Sequence, residues 1–202
     1  MTQLIAQPWW VNLLILVPAG AYFYWRSNRV PISLLQLISS GVFAAAFGFL
    51  EAVVVVYLRA ASGLLPGYQG TLSDIIRLSG QFYRAPHGVT QFPESLLTLE
   101  VFREAATILM LLSVAVLSSR KPKVGAAVFL WAFAIWDIVY YAALWATVRW
   151  PLSLNDPDVL FLIPVPWFSP VWFPLLVSGL AVAAVLLTRR DVPGVSGNLT
   201  TV

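Results

Sequence analysis

The chain has 202 residues, 59% of them hydrophobic and only 10% charged, with a mean hydropathy of +0.82. A soluble domain carries about 25% charged residues, so this composition excludes an ordinary soluble protein and indicates an integral membrane protein whose first partner is the lipid bilayer. The net charge is +3, but the basic residues sit at the ends of apolar runs, the pattern of topology signals, so no nucleic-acid partner is expected.

The first apolar run, about 9–25, carries aromatics at both ends: Trp9 and Trp10, then Tyr22, Tyr24 and Trp25. The nine tryptophans of this tryptophan-rich chain suit interfacial anchoring, because indole has an apolar body and one N–H that favours the headgroup level. Pro18 and Gly20 are tolerated kink points. Arg26 and Arg29 follow the run instead of preceding it, and no small-residue cleavage site is present, so the start does not read as a cleavable signal peptide. Pro31 opens the second run, about 32–58, since Pro is accepted in a first turn. There Ser40, Ala44 and Gly48 fall at i, i+4, i+8, a stripe of small residues that lets another helix approach closely. Glu51 lies just beyond the stripe, and Arg59 ends the run.

Residues 60–94 form a long connection. Within it, Ile75, Ile76, Leu78 and Phe82 oppose Asp74, Arg77 and Gln81, which predicts an interfacial helix near 72–82. A turn with Pro86, His87 and Gly88 follows. The third run, about 95–117, stops at the basic turn Ser118-Ser-Arg-Lys-Pro-Lys123, and the fourth, about 124–148, carries Trp136, Asp137, Tyr140 and Tyr141. Asp156 and Asp158 flank Pro157 and read as turn caps, or in a sharper reading as part of a lid. The apolar run 160–167 is broken by Pro164 and Pro166 and is too short to span, so a re-entrant or interface-lying segment is expected. The fifth run, about 171–187, ends at Arg189 and Arg190, and the Gly/Ser/Thr-rich tail 191–202 is expected to be disordered and cytoplasmic.

The expected fold is therefore all-α: one polytopic bundle over 1–190 with five transmembrane helices, one interfacial helix and one re-entrant segment. No internal repeat is visible, and an odd span number argues against a within-chain inverted repeat. Arg26, Arg29, Arg120, Lys121, Lys123, Arg189 and Arg190 fall on one side. Arg59, Arg77, Arg84 and Arg149 fall on the other, over longer segments. The positive-inside rule then places the N-terminus in the periplasm and the C-terminus in the cytoplasm.

Helix rise converts this topology into depth. At 1.5 Å per residue, Glu51 lies about 12 Å in from Arg59, Glu104 about 13 Å in from Ser95, Asp137 roughly 18 Å in from Arg149 and Glu100 roughly 8 Å in. Glu100, Arg103, Glu104 and Thr107 share one helix face at i, i+3, i+4, i+7, as do Phe133, Asp137, Tyr140, Tyr141 and Leu144 on the next helix. Carboxylates from three adjacent spans thus enter the outer half of a hydrocarbon core roughly 30 Å thick, where a charge costs about 2.5–3.5 kcal/mol and is seldom present without a partner or a function.

Two readings of this cluster stand side by side. In one, Arg103 with Glu100 and Glu104 is an ion-pair lock between helices, although buried pairs are a poor source of stability. In the other, the surplus of acids marks an outward-facing site. With oxygen ligands alone such a site suits a hard cation, Mg²⁺, Ca²⁺ or Mn²⁺, held by Glu51, Glu100, Glu104 and Asp137, with His87 descending from the outer loop. Catalysis on a lipid or small periplasmic substrate would then use Glu51, Glu104 and Asp137 as acid/base groups, with Arg103, Tyr140, Tyr141 and Trp167 binding substrate. His87 beside Pro86 and Gly88 also reads as an ordinary loop residue, and Tyr140 and Tyr141 as belt aromatics. The chain has no cysteine, which excludes iron–sulfur clusters and thiolate zinc sites, and Glu100 is followed at i+3 by Arg103 rather than His, which removes the di-iron carboxylate motif. A non-catalytic subunit packed on partner membrane subunits, and a proton- or ion-coupled transporter acting as a homo-oligomer, are the alternative function classes.

Trp136-Asp-x-x-Tyr-Tyr141 together with Leu160-Phe-Leu-Ile-Pro-x-Pro-Trp167 resembles small polytopic bacterial membrane proteins of uncharacterised activity. The resemblance implies a bacterial inner membrane and no particular activity. Pro166-Trp-Phe-Ser-Pro-Val-Trp172 is similar to the Trp/Pro stretch of the tryptophan-rich translocator-protein family. In that family the stretch precedes an early helix, whereas here it opens the last, so nothing is carried over.

Overall fold

A computed structural model of the chain describes residues 5–61 and 94–191. The interfacial helix expected near 72–82, the turn with His87, and the tail from 192 onward lie outside the described residues.

The described chain is mostly helical. A 3₁₀ stretch, Trp9–Ile15, runs into α1 (Leu16–Ser27), so the first apolar run is two helical pieces. There follow α2 (Leu34–Ala61), α3 (Glu94–Ser118), α4 (Pro122–Val148) and α5 (Trp172–Thr188). α2 to α5 each coincide to within a turn with an apolar run, and α1 takes up the second part of the first, because continuous Leu, Val, Ala and Phe leave the backbone no partner but itself in lipid. Polar punctuation ends them. Pro122 opens α4 at its first turn, and Arg149 closes it in the left-handed region at φ 58°, its N–H donating to Trp145 O at 3.0 Å. Stretches within α2, α3 and α4, three in all, are long and apolar enough to cross a membrane, and α5 is a shorter apolar helix of 17 residues. Their outward faces are apolar too: Leu117 is 85% exposed, Leu35 74% and Phe102 69%, which fits a lipid solvent and would be anomalous in water.

The helices pack around α4. α2 lies along one side of it, where Gly48 admits the α4 backbone: a Cβ there would stand 2.5 Å from Trp136 O. Ser40 and Ala44 of the same stripe are buried, and Trp131 Nε1 donates to Leu37 O at 3.0 Å. α3 packs on α4, while α5 packs on both α4 and α1.

At one end of the bundle, β1 (Val30–Pro31) pairs in parallel with β4 (Arg189–Arg190), and Arg189 Nε donates to Ile32 O at 3.2 Å. Lys123 Nζ donates to Asn28 O, which draws the α3–α4 turn to the same end. Arg26, Arg29, Arg120, Lys121, Lys123, Arg189 and Arg190 therefore gather there. At the opposite end, β2 (Pro157–Phe161) and β3 (Trp167–Pro170) form an antiparallel hairpin, with Pro157 opposite Pro170 and Phe161 opposite Trp167. Gln7 exchanges two 2.8 Å backbone hydrogen bonds with Phe168, tying the start of the chain to the hairpin edge.

The hairpin is a small antiparallel pair added to a mostly helical chain, and it replaces the re-entrant reading of 160–167 while leaving the interface-lying one. Pro164 and Pro166 supply no N–H for a helix, whereas the residues on either side satisfy their backbone groups across the pair.

Candidate functional site

Beneath the hairpin lies a cavity of about 680 Å³. Its walls come from every helix and from β2, and they are mainly apolar. Two of its lining residues, Val17 on α1 and Leu109 on α3, are 53% and 61% exposed, so its apolar lining reaches the surface at those two helices.

The polar groups concentrate in the half of the bundle remote from the basic end. α3 brings Glu100, Arg103, Glu104 and Thr107 to the cavity from one face, as the i, i+3, i+4, i+7 spacing requires. Arg103 is the hub. Its Nε and Nη2 donate to Glu100 Oε2 at 3.1 and 2.8 Å, and its Nη1 pairs with Glu51 Oε1 across from α2. Thr107 Oγ1 donates to Glu51 Oε2 at 2.9 Å, so both oxygens of that carboxylate are held. A guanidinium fork can make this bridge because it is planar, stays charged and reaches two carboxylates at once.

The other acids turn to different partners. Glu104 Oε2 accepts the backbone N–H of Leu162 at 2.8 Å, which fastens the hairpin connection to α3. Asp137 Oδ2 accepts Ser178 Oγ at 2.7 Å and so joins α4 to α5. Tyr141 OH donates to Asp158 Oδ2 at 2.7 Å, a second fastening of the hairpin, this one to α4. Glu51, Glu104 and Asp137 are 4%, 8% and 8% exposed, so each is a buried acid held by at least one donor.

An aromatic wall faces this acidic region. Ring centroids lie 5.4 Å apart for Phe133–Trp136, 6.1 Å for Trp136–Tyr140, 6.4 Å for Trp136–Phe161 and 5.4 Å for Phe161–Trp167. Trp10 abuts Trp167 edge-on at 5.0 Å. Each of these rings except Trp10 lines the cavity.

Glu51, Glu100, Arg103, Glu104, Asp137, Tyr140, Tyr141 and Trp167, named from the sequence, thus line one cavity, and His87 lies outside the described residues. The expected metal-ligand set gains no support from these placements. Among the described residues no group of three His, Cys, Asp or Glu side chains is placed to hold a metal ion. The reason is visible in the partners: Glu51 and Glu100 turn to Arg103, Glu104 to the hairpin and Asp137 to α5, so the acids diverge. The ion-pair reading holds in altered form, since Arg103 bridges Glu100 and Glu51 rather than Glu100 and Glu104.

Sequence reasoning passed over two participants, Ser178 and the N–H of Leu162, and named Asp156 and Asp158 as turn caps or part of a lid. Asp156 does cap the turn, accepting the N–H groups of Leu152 and Ser153 at 2.8 and 3.2 Å, but Asp158 reaches Tyr141 instead. Ser178 carried a usable signal, as the one polar side chain between Trp172 and Leu187. The N–H of Leu162 carried none. The chain matches no family model, no curated protein and no solved structure.

Proposed function

We propose that this is a polytopic protein of a bacterial inner membrane that binds a lipid-soluble amphiphile in its central cavity. The observation that carries this reading is the cavity itself: about 680 Å³ of mainly apolar space with a compact set of polar side chains on one part of its wall. Ligand sites have this makeup, in which apolar lining supplies affinity and a few placed polar groups supply orientation. The ligand's polar head sits against Arg103, Glu104 and Asp137, and its apolar body extends toward the exposed lining at α1 and α3. Because that lining is formed by apolar side chains of outward faces, the ligand enters sideways from the bilayer.

All five helices cross the membrane in this reading, with the 3₁₀ stretch completing the first span. The N-terminus is periplasmic and the C-terminus cytoplasmic. The gathering of seven basic residues at one end supports that orientation and makes it the cytoplasmic end, with the acidic part of the cavity in the periplasmic half.

The test is retention of bound lipid. Native mass spectrometry of the protein released from nanodiscs is expected to show a discrete adduct of amphiphile mass. Ala105→Trp, which fills the cavity from α3, is expected to remove it while thermal unfolding stays cooperative. An adduct unchanged by that substitution sinks the proposal.

A further inference from the structure

We infer that the ligand of this cavity is a lipophilic organic cation, an amine or onium group on an apolar body. The inference rests on the cavity being a ligand site and adds the sign of the ligand's charge.

The charge inventory comes first. Among the described residues, Glu51, Glu100, Glu104, Asp137 and Asp158 line the cavity beside one guanidinium, that of Arg103. Arg103 has Nε and Nη2 on Glu100 and Nη1 on Glu51, so an anionic head would reach only its two remaining N–H groups and would lie against those carboxylates.

The second observation is atomic. Glu104 and Asp137 are each 8% exposed, and each has one oxygen engaged, by Leu162 N–H and Ser178 Oγ respectively. The other oxygen of each carboxylate, Glu104 Oε1 and Asp137 Oδ1, retains acceptor capacity beside those bonds. Acceptor capacity of this kind on the wall of an apolar cavity suits a donor or a positive charge.

The third observation selects the kind of cation. A hard metal ion needs a converging shell of oxygens, and among the described residues no group of three ligating side chains forms one. A quaternary onium ion needs no such shell, because it is weakly hydrated and its charge is spread over apolar atoms, and a protonated amine needs only one or two acceptors. The wall of Phe133, Trp136, Tyr140, Phe161 and Trp167 offers it aromatic surface, and cations are drawn to aromatic faces most strongly where water is excluded.

Tetraphenylphosphonium and tetraphenylborate, alike in size and shape and opposite in charge, provide the test. Each is titrated onto the nanodisc-embedded protein by equilibrium dialysis, and specific binding is taken as the difference from Ala105→Trp. The phosphonium is expected to bind more tightly than the borate by about tenfold or more, a difference of about 1.4 kcal/mol in binding free energy. The Glu104→Gln/Asp137→Asn variant is expected to lose that preference, and in the wild type phosphonium affinity is expected to fall as acid protonates the carboxylates. The acid titration needs no substitution, so it decides the matter even where the double variant misfolds.

Equal or tighter borate binding, or phosphonium affinity indifferent to acid, overturns the inference. If the native adduct is still lost in Ala105→Trp, the cavity reading survives that result. If the adduct persists in Ala105→Trp, the cavity reading falls as well.

Discussion

At the scale of single residues, the centre of the molecule is Arg103, and its two carboxylates explain why it is an arginine. The side chains of Arg103, Glu51 and Glu100 are 22%, 5% and 15% exposed, so the group is largely withdrawn from solvent. Removing one partner of such a set leaves an uncompensated charge behind, which costs about 3–5 kcal/mol in buried pairs. Arg103→Met is therefore expected to lower unfolding stability in detergent by that order, read by circular dichroism. Adding Glu51→Gln is expected to recover part of the loss, since the amide can keep the Thr107 hydrogen bond without the charge. A double variant no more stable than Arg103→Met would contradict this account. Spacing on α3 made Glu100, Arg103, Glu104 and Thr107 legible as one face. It could not reveal that Arg103 prefers Glu51 over Glu104, because that choice depends on how α2 is set against α3.

At the scale of elements, the close approach of α2 and α4 is decided by one glycine. A Cβ at residue 48 would meet backbone at Trp136 O, 2.5 Å away, and backbone cannot swing aside as a flexible side chain can. Gly48→Ala is expected to destabilise the protein by roughly 1–3 kcal/mol, the usual range for overpacking, and Gly48→Val by more. Gly20, with nothing within 4 Å of its would-be Cβ, provides the control: Gly20→Ala is expected to leave the melting temperature unchanged or slightly raised. A Gly48→Ala protein that melts with the wild type would show that the two helices can part cheaply. The helices were readable in the sequence because hydropathy dictates them locally. The hairpin was not, since eight apolar residues with two prolines look alike whether they dip into lipid or pair with a strand. The run's two ends fall in the paired strands 157–161 and 167–170, and Gln7 adds to the hairpin edge from the far start of the chain. For the same reason Ser178 and Leu162 escaped notice: the acids were visible, but the donors that hold them arrive from α5 and from the hairpin connection.

At the scale of the whole molecule, charge is unevenly distributed, with seven of the twelve basic residues gathered at one end and the cavity's carboxylates recessed in the other half. The absence of cysteine leaves a clean background for labelling. Single cysteines at Ser119, in the α3–α4 turn, and at Ser153, between α4 and the hairpin, are expected to react with an impermeant maleimide from opposite sides of intact spheroplasts, Ser153→Cys from outside. Labelling of both from one side would refute the orientation.

The seating of α5 between α1 and α4 also bears on how the protein is made. α5 is the last of the described helices, and until it arrives Asp137 has no Ser178 to satisfy it and the cavity has no wall on that side. A nascent chain halted after α4 therefore holds a bare acid within the bilayer. A charge at bilayer depth is costly without a partner, so the arrival of α5 closes the cavity and relieves that cost in a single step.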